Sequence, residues 1–487
     1  MGTSQSGKSK FLEYCMREHV ISGNGFCLID WHGTLYQTML EFLAYVQPDR
    51  PIVLLNPSKP DYIRPFNPFA LPEGREVTSH VIRLADVLVK PWGAENTNEL
   101  PTYERVVKMV LTYMAVSGAP LHLAAKLLEL PKKELREHAI SVINDDYVRQ
   151  QWKQFQYVHT LKEWLREVES TQNRLARFIG SRSVKLFTGL PGESLDINKA
   201  ITDRAIVLVN LAPSDNLPIE SGRVFASLLL SEFLNTAIGH ADEERPYFVY
   251  LDECSNYLTG DAAKILDQVI KTGLRFTLAF HHLGQFHDQP HLLQSLDMNA
   301  KVKVLFAGLP VKAAKDAAEE FFMDELNERW IKEVRYRTVT KHFLEAYDTS
   351  TETDGEVPAG STHSSSVASG TRYSPYYEQE EAGKDEWSRD EKVSKLAARL
   401  MSLKQRECYV KLPTGPFPYT VPWVEEYLMN PDSVLRFEKA LQRTAIPLHE
   451  ADKILETEER KFLERSNEYE SKGGRPKKRP ARLHPQG

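Results

Sequence analysis

The chain has 487 residues, with 61 lysines and arginines against 67 aspartates and glutamates, which gives a net charge of -6. This length allows about two or three domains. The hydrophobic fraction of 41% and the charged fraction of 26% are typical of a soluble globular protein. The acidic balance excludes a globally basic surface, so any contact with nucleic acid must come from a local patch or an assembled pore.

The four cysteines, Cys15, Cys27, Cys254 and Cys408, lie far apart and form no C-x-x-C pair. This spacing argues against both a zinc site and a disulfide framework, and a reducing cytoplasm fits it best. No run approaches about 18 apolar residues and no signal peptide opens the chain. We therefore expect that any work at a membrane requires another subunit to hold the protein there.

The chain opens on a phosphate-binding pattern, G-x-x-x-x-G-K-[ST], which is matched at every fixed position. Its glycines let successive backbone N–H groups point at phosphates, and the positive end of the following helix lies at the same place. We expect Lys8 to neutralise phosphate charge and the Ser9 hydroxyl to bind Mg²⁺. The nucleotide-binding residues predicted here are Gly2, Thr3, Ser4, Gln5, Ser6, Gly7, Lys8 and Ser9.

A phosphate-binding loop normally follows a buried apolar strand, but only Met1 precedes Gly2. We expect the natural chain to begin upstream of this start. The alternative is an imperfectly supported site.

Short apolar runs that alternate with helical patterns indicate a parallel sheet with both faces covered. They occupy residues 26–30, 51–55, 205–210, 247–251, 276–280 and 302–306. The fold class predicted is α/β: a doubly wound, mainly parallel, RecA-like sheet of a phosphate-loop NTPase, with an all-helical insertion and a disordered excursion. Ligands of such sheets bind at the carboxyl ends of the strands, where Asp30 lies.

The remaining composition divides the chain further. Helical periodicity predicts the all-helical insertion, and a stretch rich in Ser, Thr, Gly and Glu predicts disorder. A charged helix then leads into a tail with six basic residues, which either contacts nucleic acid or only solubilises the chain. The predicted division is residues 1–100 and 179–345 for the two parts of the nucleotide-binding domain, 101–178 for the insertion, 346–390 for the disordered linker, 391–435 for C-terminal strands that complete the core, and 436–487 for the charged helix and tail.

Hydrolysis of a bound nucleotide needs a metal and a base, and the apolar strand that ends in Asp252-Glu253 can supply both. Asp252 is expected to hold Mg²⁺ through water opposite Ser9, and Glu253 to orient and deprotonate the attacking water. Acids at a strand end often only cap the chain. The pairing with a phosphate-binding loop favours catalysis, and the missing Asn/Thr-Lys-x-Asp motif weakens a GTPase interpretation.

A second polar strand end follows at His281-His282-Leu283-Gly284-Gln285. A polar side chain at the tip of the strand beside the acidic one can touch the γ-phosphate, so His281 and Gln285 are candidates for a sensor. The structural alternative is that the two histidines only complete hydrogen bonds within a loop. A metal role for His281, His282 and His287 is less favoured, because nothing else there has ligand spacing.

These stretches, in this order, resemble the HerA and FtsK superfamily of motor ATPases, and most closely the conjugative type IV secretion coupling ATPases of the TraD, TraG and VirD4 types. The resemblance covers residues 2–310, with a weaker echo over residues 393–424. Besides the two nucleotide motifs it rests on Gly25-Phe26-Cys27-Leu28-Ile29-Asp30-Trp31-His32-Gly33, Asn67-Pro68-Phe69, Trp92-Gly93, residues 206–211 and residues 273–285.

The resemblance implies a ring, usually of six subunits, that binds ATP and Mg²⁺ between neighbours and pulls DNA through a central channel. It also implies that the helical insertion faces one end of the ring. DNA, further copies of the chain and membrane-anchored secretion subunits are the implied partners. The implied location is the cytoplasm, or the periphery of the inner membrane through a partner.

Two positions depart from the family pattern. Family members often carry Arg-Lys before the glycine of the sensor strand, where this chain has Ile270-Lys271, and His281 replaces the usual glutamine. An arginine suits the role of acting on a neighbour's ATP, because its planar fork meets two phosphate oxygens. The candidates that we leave open for this role are Lys271, Arg275, Arg174 and Arg177.

Three functions follow from these observations. The leading hypothesis is an ATP-hydrolysing DNA motor of conjugative or mobile-element type. The second is a nucleotide-gated assembly scaffold, in secretion or phage defence, with little or no translocation. The third and weakest is a pseudoenzyme fragment that cannot fold its pocket.

Overall fold

The computed structural model describes residues 1–3, 5–71, 74–89, 100–157, 160–191, 194–239, 245–258, 273–287, 289–358, 360–427 and 429–471. The chain divides into two compact units. The first consists of Met1–Leu309 together with Leu403–Gly487, and the second of Pro310–Ser402. The second unit begins earlier than predicted, because residues 310–345 had been assigned to the nucleotide-binding domain.

A five-stranded parallel sheet forms the centre of the first unit, in the order β2-β4-β1-β5-β6. Every residue of β1 and of β4 is buried, as expected for central strands that are covered by helices on both faces. The predicted α/β class is therefore confirmed. These strands are β1 (Phe26–Asp30), β2 (Ile52–Leu55), β4 (Ile206–Asn210), β5 (Tyr247–Leu251) and β6 (Leu274–Leu278).

Smaller sheets complete the strands of the first unit. One has the order β11-β10-β7 and another pairs β12 with β3. Residues 407–412 lie where a C-terminal strand was predicted, and the next strand begins earlier than predicted. Residues 303–306 pair antiparallel with residues 408–411, so the prediction that residues 302–306 belong to the parallel sheet was wrong. The bounds are β3 (Tyr62–Ile63), β7 (Lys303–Phe306), β10 (Glu407–Leu412), β11 (Gly415–Thr420) and β12 (Ile446–Pro447).

Helices of the first unit surround the parallel sheet and build the insertion. No described helix is long and apolar enough to cross a membrane. The helices are α1 (Lys8–Ser22), α2 (Thr34–Val46), α3 (Val77–Val89), α4 (Leu100–Ser117), α5 (Leu121–Ala124), α6 (Lys133–Val142), α7 (Asp146–Gln156), α8 (Leu161–Ile179), α9 (Arg182–Gly189), α10 (Ile197–Thr202), α11 (Ile219–Gly239), α12 (Pro290–Asn299), α16 (Pro431–Leu441) and α17 (Leu448–Ser471), and short 3-10 turns lie at Ala125–Leu128, Cys254–Asn256 and Leu283–Phe286.

The segment predicted to be all-helical contains helices α4 to α8 and no strand among its described residues. Its core is aromatic: Trp152 and Trp164 are almost completely buried, and Phe155 packs edge-on against both. The C-terminal helix α17 lies against this insertion, where Phe462 contacts Tyr113. The predicted basic tail, from Lys472 to Arg482, lies outside the described residues.

The second unit consists of three helices and a long hairpin, and it corrects one prediction. Strands β8 and β9 pair in antiparallel fashion, with 27 residues in each strand. Residues 346–390, predicted to be a disordered linker, lie for the most part in this hairpin, so that prediction was wrong. The elements are α13 (Val311–Phe321), α14 (Met323–Asn327), β8 (Ile331–Val357), β9 (Gly360–Glu386) and α15 (Arg389–Met401).

Cross-strand contacts give the physical reason for the hairpin. Glu345 lies directly opposite Arg372 and bonds its Nε at 3.3 Å, and Lys341 bonds Glu378 on the other strand at 2.6 Å. Such pairs stabilise antiparallel strands. The two members of each pair are separated by tens of residues in the sequence. The composition, which is rich in Ser, Thr, Gly and Glu, therefore did not reveal the pairing.

Candidate nucleotide-binding site

Residues 1–3 place the phosphate-binding loop between two strands of the first unit. Gly2 N donates to His281 O at 2.9 Å, just beyond β6, and Phe306 N of β7 donates to Met1 O at 2.9 Å. Gly7 has a φ of 111° and forms the N-cap of α1. The loop therefore ends at the amino terminus of a 15-residue helix, where backbone N–H groups and the helix dipole favour an anion.

Lys8 lies at the centre of a buried polar cluster. Its Nζ is 3.0 Å from His281 Nδ1 and 3.5 Å from Glu253 Oε1, and it also donates to Gly2 O. Burial lowers the pKa of Lys8, and the nearby Glu253 carboxylate opposes that shift. The protein's own acceptors therefore satisfy the charge that is predicted to meet phosphate.

Glu253 faces this cluster from the end of β5. Its φ is 46°, a left-handed conformation that is uncommon for a residue with a side chain. The conformation accompanies contacts of both carboxylate oxygens, since Oε1 meets Lys8 and Oε2 lies 3.3 Å from His281 Nε2. Glu253, the residue predicted to act as the base, thus contacts both other members of the cluster.

Asp252, the preceding residue, offers an oxygen that could bind a cation. Its Oδ1 is buried and has no hydrogen-bond partner among the described residues. Burial, followed by the charges of Asp30 and Glu253, raises the pKa of this carboxyl to about 7. A Mg²⁺ ion would relieve that crowding, and oxygen ligands are those that it prefers.

The sequence predicts Ser9 and Asp252 as the metal ligands. These two protein groups supply only part of the ligand set that a Mg²⁺ ion needs. Ser9 is the second residue of α1 and is exposed. No group of three His, Cys, Asp or Glu side chains that could hold a metal occurs in the described parts of the chain. Magnesium in such sites is completed by phosphate oxygens and water, which agrees with a site of few protein ligands.

Asp30 lies at the carboxyl end of β1, as predicted, but its oxygens are occupied. Oδ1 accepts from His32 N at 2.9 Å, and Oδ2 accepts from Tyr36 N at 2.8 Å. The carboxylate therefore holds the turn that leads into α2. Its charge acts on the site indirectly, through the pKa of Asp252.

The two sensor candidates differ in what they contact. His281 bridges Lys8 and Glu253, as described above. Gln285 instead fixes the loop: its Oε1 accepts from His281 N at 2.8 Å and from His282 N at 3.2 Å. Gln285 therefore positions His281 from behind.

Two of the four basic candidates for a role on a neighbour's nucleotide, Arg174 and Arg275, have described side chains. The guanidinium of Arg174 lies 4.3 Å from the ring centre of Tyr103, inside the insertion's own packing. Arg275 lies on β6 and donates to Leu274 O at 3.1 Å. Lys271, the side chain of Arg177, Ser4 of the loop and the Trp92-Gly93 pair lie outside the described residues.

The C-terminal strands contribute a part of the site that sequence reasoning missed. Arg406 N donates to Ser6 O at 3.2 Å, and a Cβ on Gly7 would lie 3.2 Å from the Arg406 backbone. Arg406 stands nearly 400 residues from the loop, directly before β10, and nothing local distinguishes it from any other arginine at a strand end. Only the pairing of β10 with β7 brings it there.

No protein-family model matches the chain, and no curated protein matches it. The solved structures include the bacterial conjugative coupling protein TrwBdeltaN70 in an unbound form, with a TM-score of 0.55 and 13% identity over 88% of this chain and 85% of that chain. TrwB in complex with ADP and Mg²⁺ matches with a TM-score of 0.55 and 12% identity over 88% of this chain and 85% of that chain. TrwB with a non-hydrolysable ATP analogue matches with a TM-score of 0.55 and 12% identity over 88% of this chain and 86% of that chain. The chain therefore has the fold of the conjugative coupling protein TrwB, as the sequence resemblance predicted.

Proposed function

We propose that the protein is an ATP-hydrolysing motor that works as a hexameric ring and translocates DNA, as in conjugative transfer through a type IV secretion system. The observation that carries the proposal is the cluster of Lys8, Glu253 and His281. Lys8 and His281 lie 273 positions apart in the chain and meet at 3.0 Å. A phosphate-binding lysine, a base and a strand-tip sensor on one parallel sheet form the arrangement needed for phosphoryl transfer to water.

The chemistry follows from these residues. The backbone N–H groups of residues 2–9 and the amino terminus of α1 would bind the β- and γ-phosphates of ATP. Lys8 would then exchange Glu253 for phosphate oxygens, which leaves the Glu253 carboxylate free to take a proton from the attacking water. Mg²⁺ between Ser9 and Asp252 would supply charge that neutralises the phosphate oxygens.

The comparisons support the cofactors and partners. TrwB is described as a coupling protein and has been crystallised with ADP and Mg²⁺ and with an ATP analogue. We extend ATP, Mg²⁺, DNA and secretion subunits to this chain on the basis of the shared fold, with a cytoplasmic location at the periphery of the inner membrane. In the ring, one of Arg275, Arg177, Lys271 or Arg174 would reach a neighbour's ATP. The packing of Arg174 over Tyr103 makes it the weakest of the four candidates.

Steady-state ATP hydrolysis, with and without double-stranded DNA, tests this proposal. We expect DNA to stimulate turnover, and Lys8→Ala to abolish it while the melting temperature stays within a few degrees of the unmutated protein. Arg275→Ala mixed with Lys8→Ala subunits then tests action between neighbours. Turnover that DNA does not change, in a protein that binds ATP, would contradict the motor.

One observation favours the second candidate, a nucleotide-gated assembly scaffold. His281 occupies the position where related motors carry glutamine, and it contacts both Lys8 and Glu253. Such a cluster could hold the site closed until a partner opens it. Displacement of a triplex-forming strand from DNA in an ATP-dependent way would exclude the scaffold, whereas ATP-dependent assembly without displacement would support it.

A further inference from the structure

The segment that covers the phosphate-binding loop carries an exposed aromatic side chain that the proposed chemistry does not use. Trp423 follows β11, and its side chain is 73% exposed. A single exposed aromatic side chain is ordinary by itself, so what distinguishes this one is the set of contacts that connect it to the predicted phosphate-binding loop. The question is what this ring faces when a nucleotide is bound.

Arg406 contacts both Trp423 and the phosphate-binding loop. The guanidinium of Arg406 lies 5.2 Å from the centre of the Trp423 ring, within the range of a cation–π contact. The same side chain donates through Nε to Val421 O at 3.0 Å, and the Arg406 backbone bonds Ser6 O. A chain of direct contacts thus runs from the phosphate-binding loop through Arg406 to the indole.

The backbone of Arg406 is held in an unusual conformation. Its φ is 73°, in the left-handed region, which costs about 1 to 2 kcal/mol for a residue with a side chain. Such outliers concentrate at functional sites. Five non-glycine residues of the described chain have positive φ, and Gln5, Glu253 and Arg406 of this site are three of them.

The segment after Trp423 is fixed along the first turns of α1. Glu426 pairs with Lys10 at 3.8 Å, and Glu425 O accepts from Arg17 at 2.7 Å. Trp423 is therefore held beside the helix whose amino terminus is proposed to bind phosphate. A base attached to those phosphates extends beyond the loop, and the contacts of Arg406, Glu425 and Glu426 place the segment that carries Trp423 next to this loop and helix.

We propose that Trp423, held in place by Arg406, is the platform on which the base of the bound nucleotide stacks. This inference rests on the proposed nucleotide site. Stacking accepts any base because every base has a π-face, so the substrate class is nucleoside triphosphates without selection of the base, with ATP and GTP bound alike.

The test compares ligands that share phosphates and differ in the base. The dissociation constants of Mg·ATP, Mg·GTP and Mg·tripolyphosphate are measured by calorimetry for the unmutated protein, Trp423→Ala and Trp423→Phe. Base stacking on an aromatic ring contributes about 1 to 3 kcal/mol, so Trp423→Ala should weaken ATP and GTP about tenfold and leave tripolyphosphate unchanged. Trp423→Phe should retain most of the affinity. The matched control is Tyr147→Ala, which removes an aromatic ring of the same 73% exposure on α7.

The outcomes separate the two proposals. Equal weakening of ATP and tripolyphosphate by Trp423→Ala, or no weakening of either, would overturn the stacking platform and leave the nucleotide site intact. Tighter ATP than GTP by a hundredfold in the unmutated protein would also overturn it, because stacking alone cannot discriminate so strongly. Failure of the unmutated protein to bind either ATP or tripolyphosphate would overturn the nucleotide site itself.

Discussion

Replacing Glu253 by glutamine separates two tasks that the structure places on one side chain. The carboxylate lies 3.5 Å from Lys8 Nζ, and both side chains are less than 10% exposed. At an effective dielectric constant of about 20, two unit charges at this distance attract by about 5 kcal/mol, an upper bound on the pair. Desolvation offsets most of this energy, and a net contribution of about 1 to 2 kcal/mol remains.

Binding of ATP must break this ion pair, so Glu253→Gln should bind ATP about tenfold more tightly than the unmutated protein. Loss of the base should lower turnover at least about a hundredfold. The assay is a fluorescent ATP analogue for the dissociation constant and phosphate release for turnover, on the same preparation. The combination of tighter binding and lost turnover distinguishes a base from a residue that only supports the fold.

The matched control is Glu104→Gln, which removes a carboxylate that is paired with Lys108 on α4 of the helical insertion and is 47% exposed. We expect neither binding nor turnover to change in this variant. If Glu253→Gln turned over at the unmutated rate, or bound ATP more weakly, the roles argued for the Lys8–Glu253 pair would be refuted.

Two further predictions concern the surroundings of the site, and a third concerns the buried His80 of α3. Gly7→Ala should abolish nucleotide binding and lower stability by about 1 to 3 kcal/mol in a melting assay, because φ is 111° and the new Cβ would meet Arg406 at 3.2 Å; unchanged binding would contradict this geometry. His281→Ala should bind ATP but lose about tenfold or more in turnover, and equal turnover would favour the scaffold. Burial lowers the pKa of His80 from 6.5 to about 4. Between pH 6.5 and 4 the unfolded chain therefore binds a proton at His80 that the native protein does not. The free energy of unfolding consequently falls as the pH drops from 6.5 toward 4, by at most about 3 kcal/mol. His80→Gln should flatten this slope in denaturant titrations at pH 4.5 and 7, and an unaltered slope would show that other groups cause it.

The parts of the site that local sequence encodes were predictable. The pattern of residues 2–9 and the apolar strand that ends in Asp252-Glu253 each carry their chemistry in consecutive residues, and in the structure Lys8 meets Glu253. The strand at Phe276 was placed two residues late, since β6 spans Leu274–Leu278. Ala279 N still donates to Leu251 O there, which shows how gradually the pairing ends.

The parts that depend on distant pairing were not predictable. Arg406 reaches the loop because β10 pairs with β7, and no local pattern indicates that register. The hairpin of β8 and β9 depends on contacts such as Glu345 with Arg372 across the strands. Arg174 was a candidate because an arginine is suited to bind phosphate. Its packing over Tyr103 could not be predicted from the sequence.

Backbone hydrogen bonds connect the proposed sensor His281 and the proposed base Glu253 to the phosphate-binding loop. Ala279 N donates to Leu251 O and Cys254 N donates to Ala279 O, so the end of β6 is bonded to the segment that carries Glu253. Gly2 N donates to His281 O, which bonds the same strand end to the phosphate-binding loop. A displacement of His281 on loss of the γ-phosphate would therefore move Glu253 and Gly2 together. Because the Arg406 backbone bonds Ser6 of that loop, the motion would also reach Trp423. Loss of the γ-phosphate would therefore be coupled to the stacking of the base on Trp423.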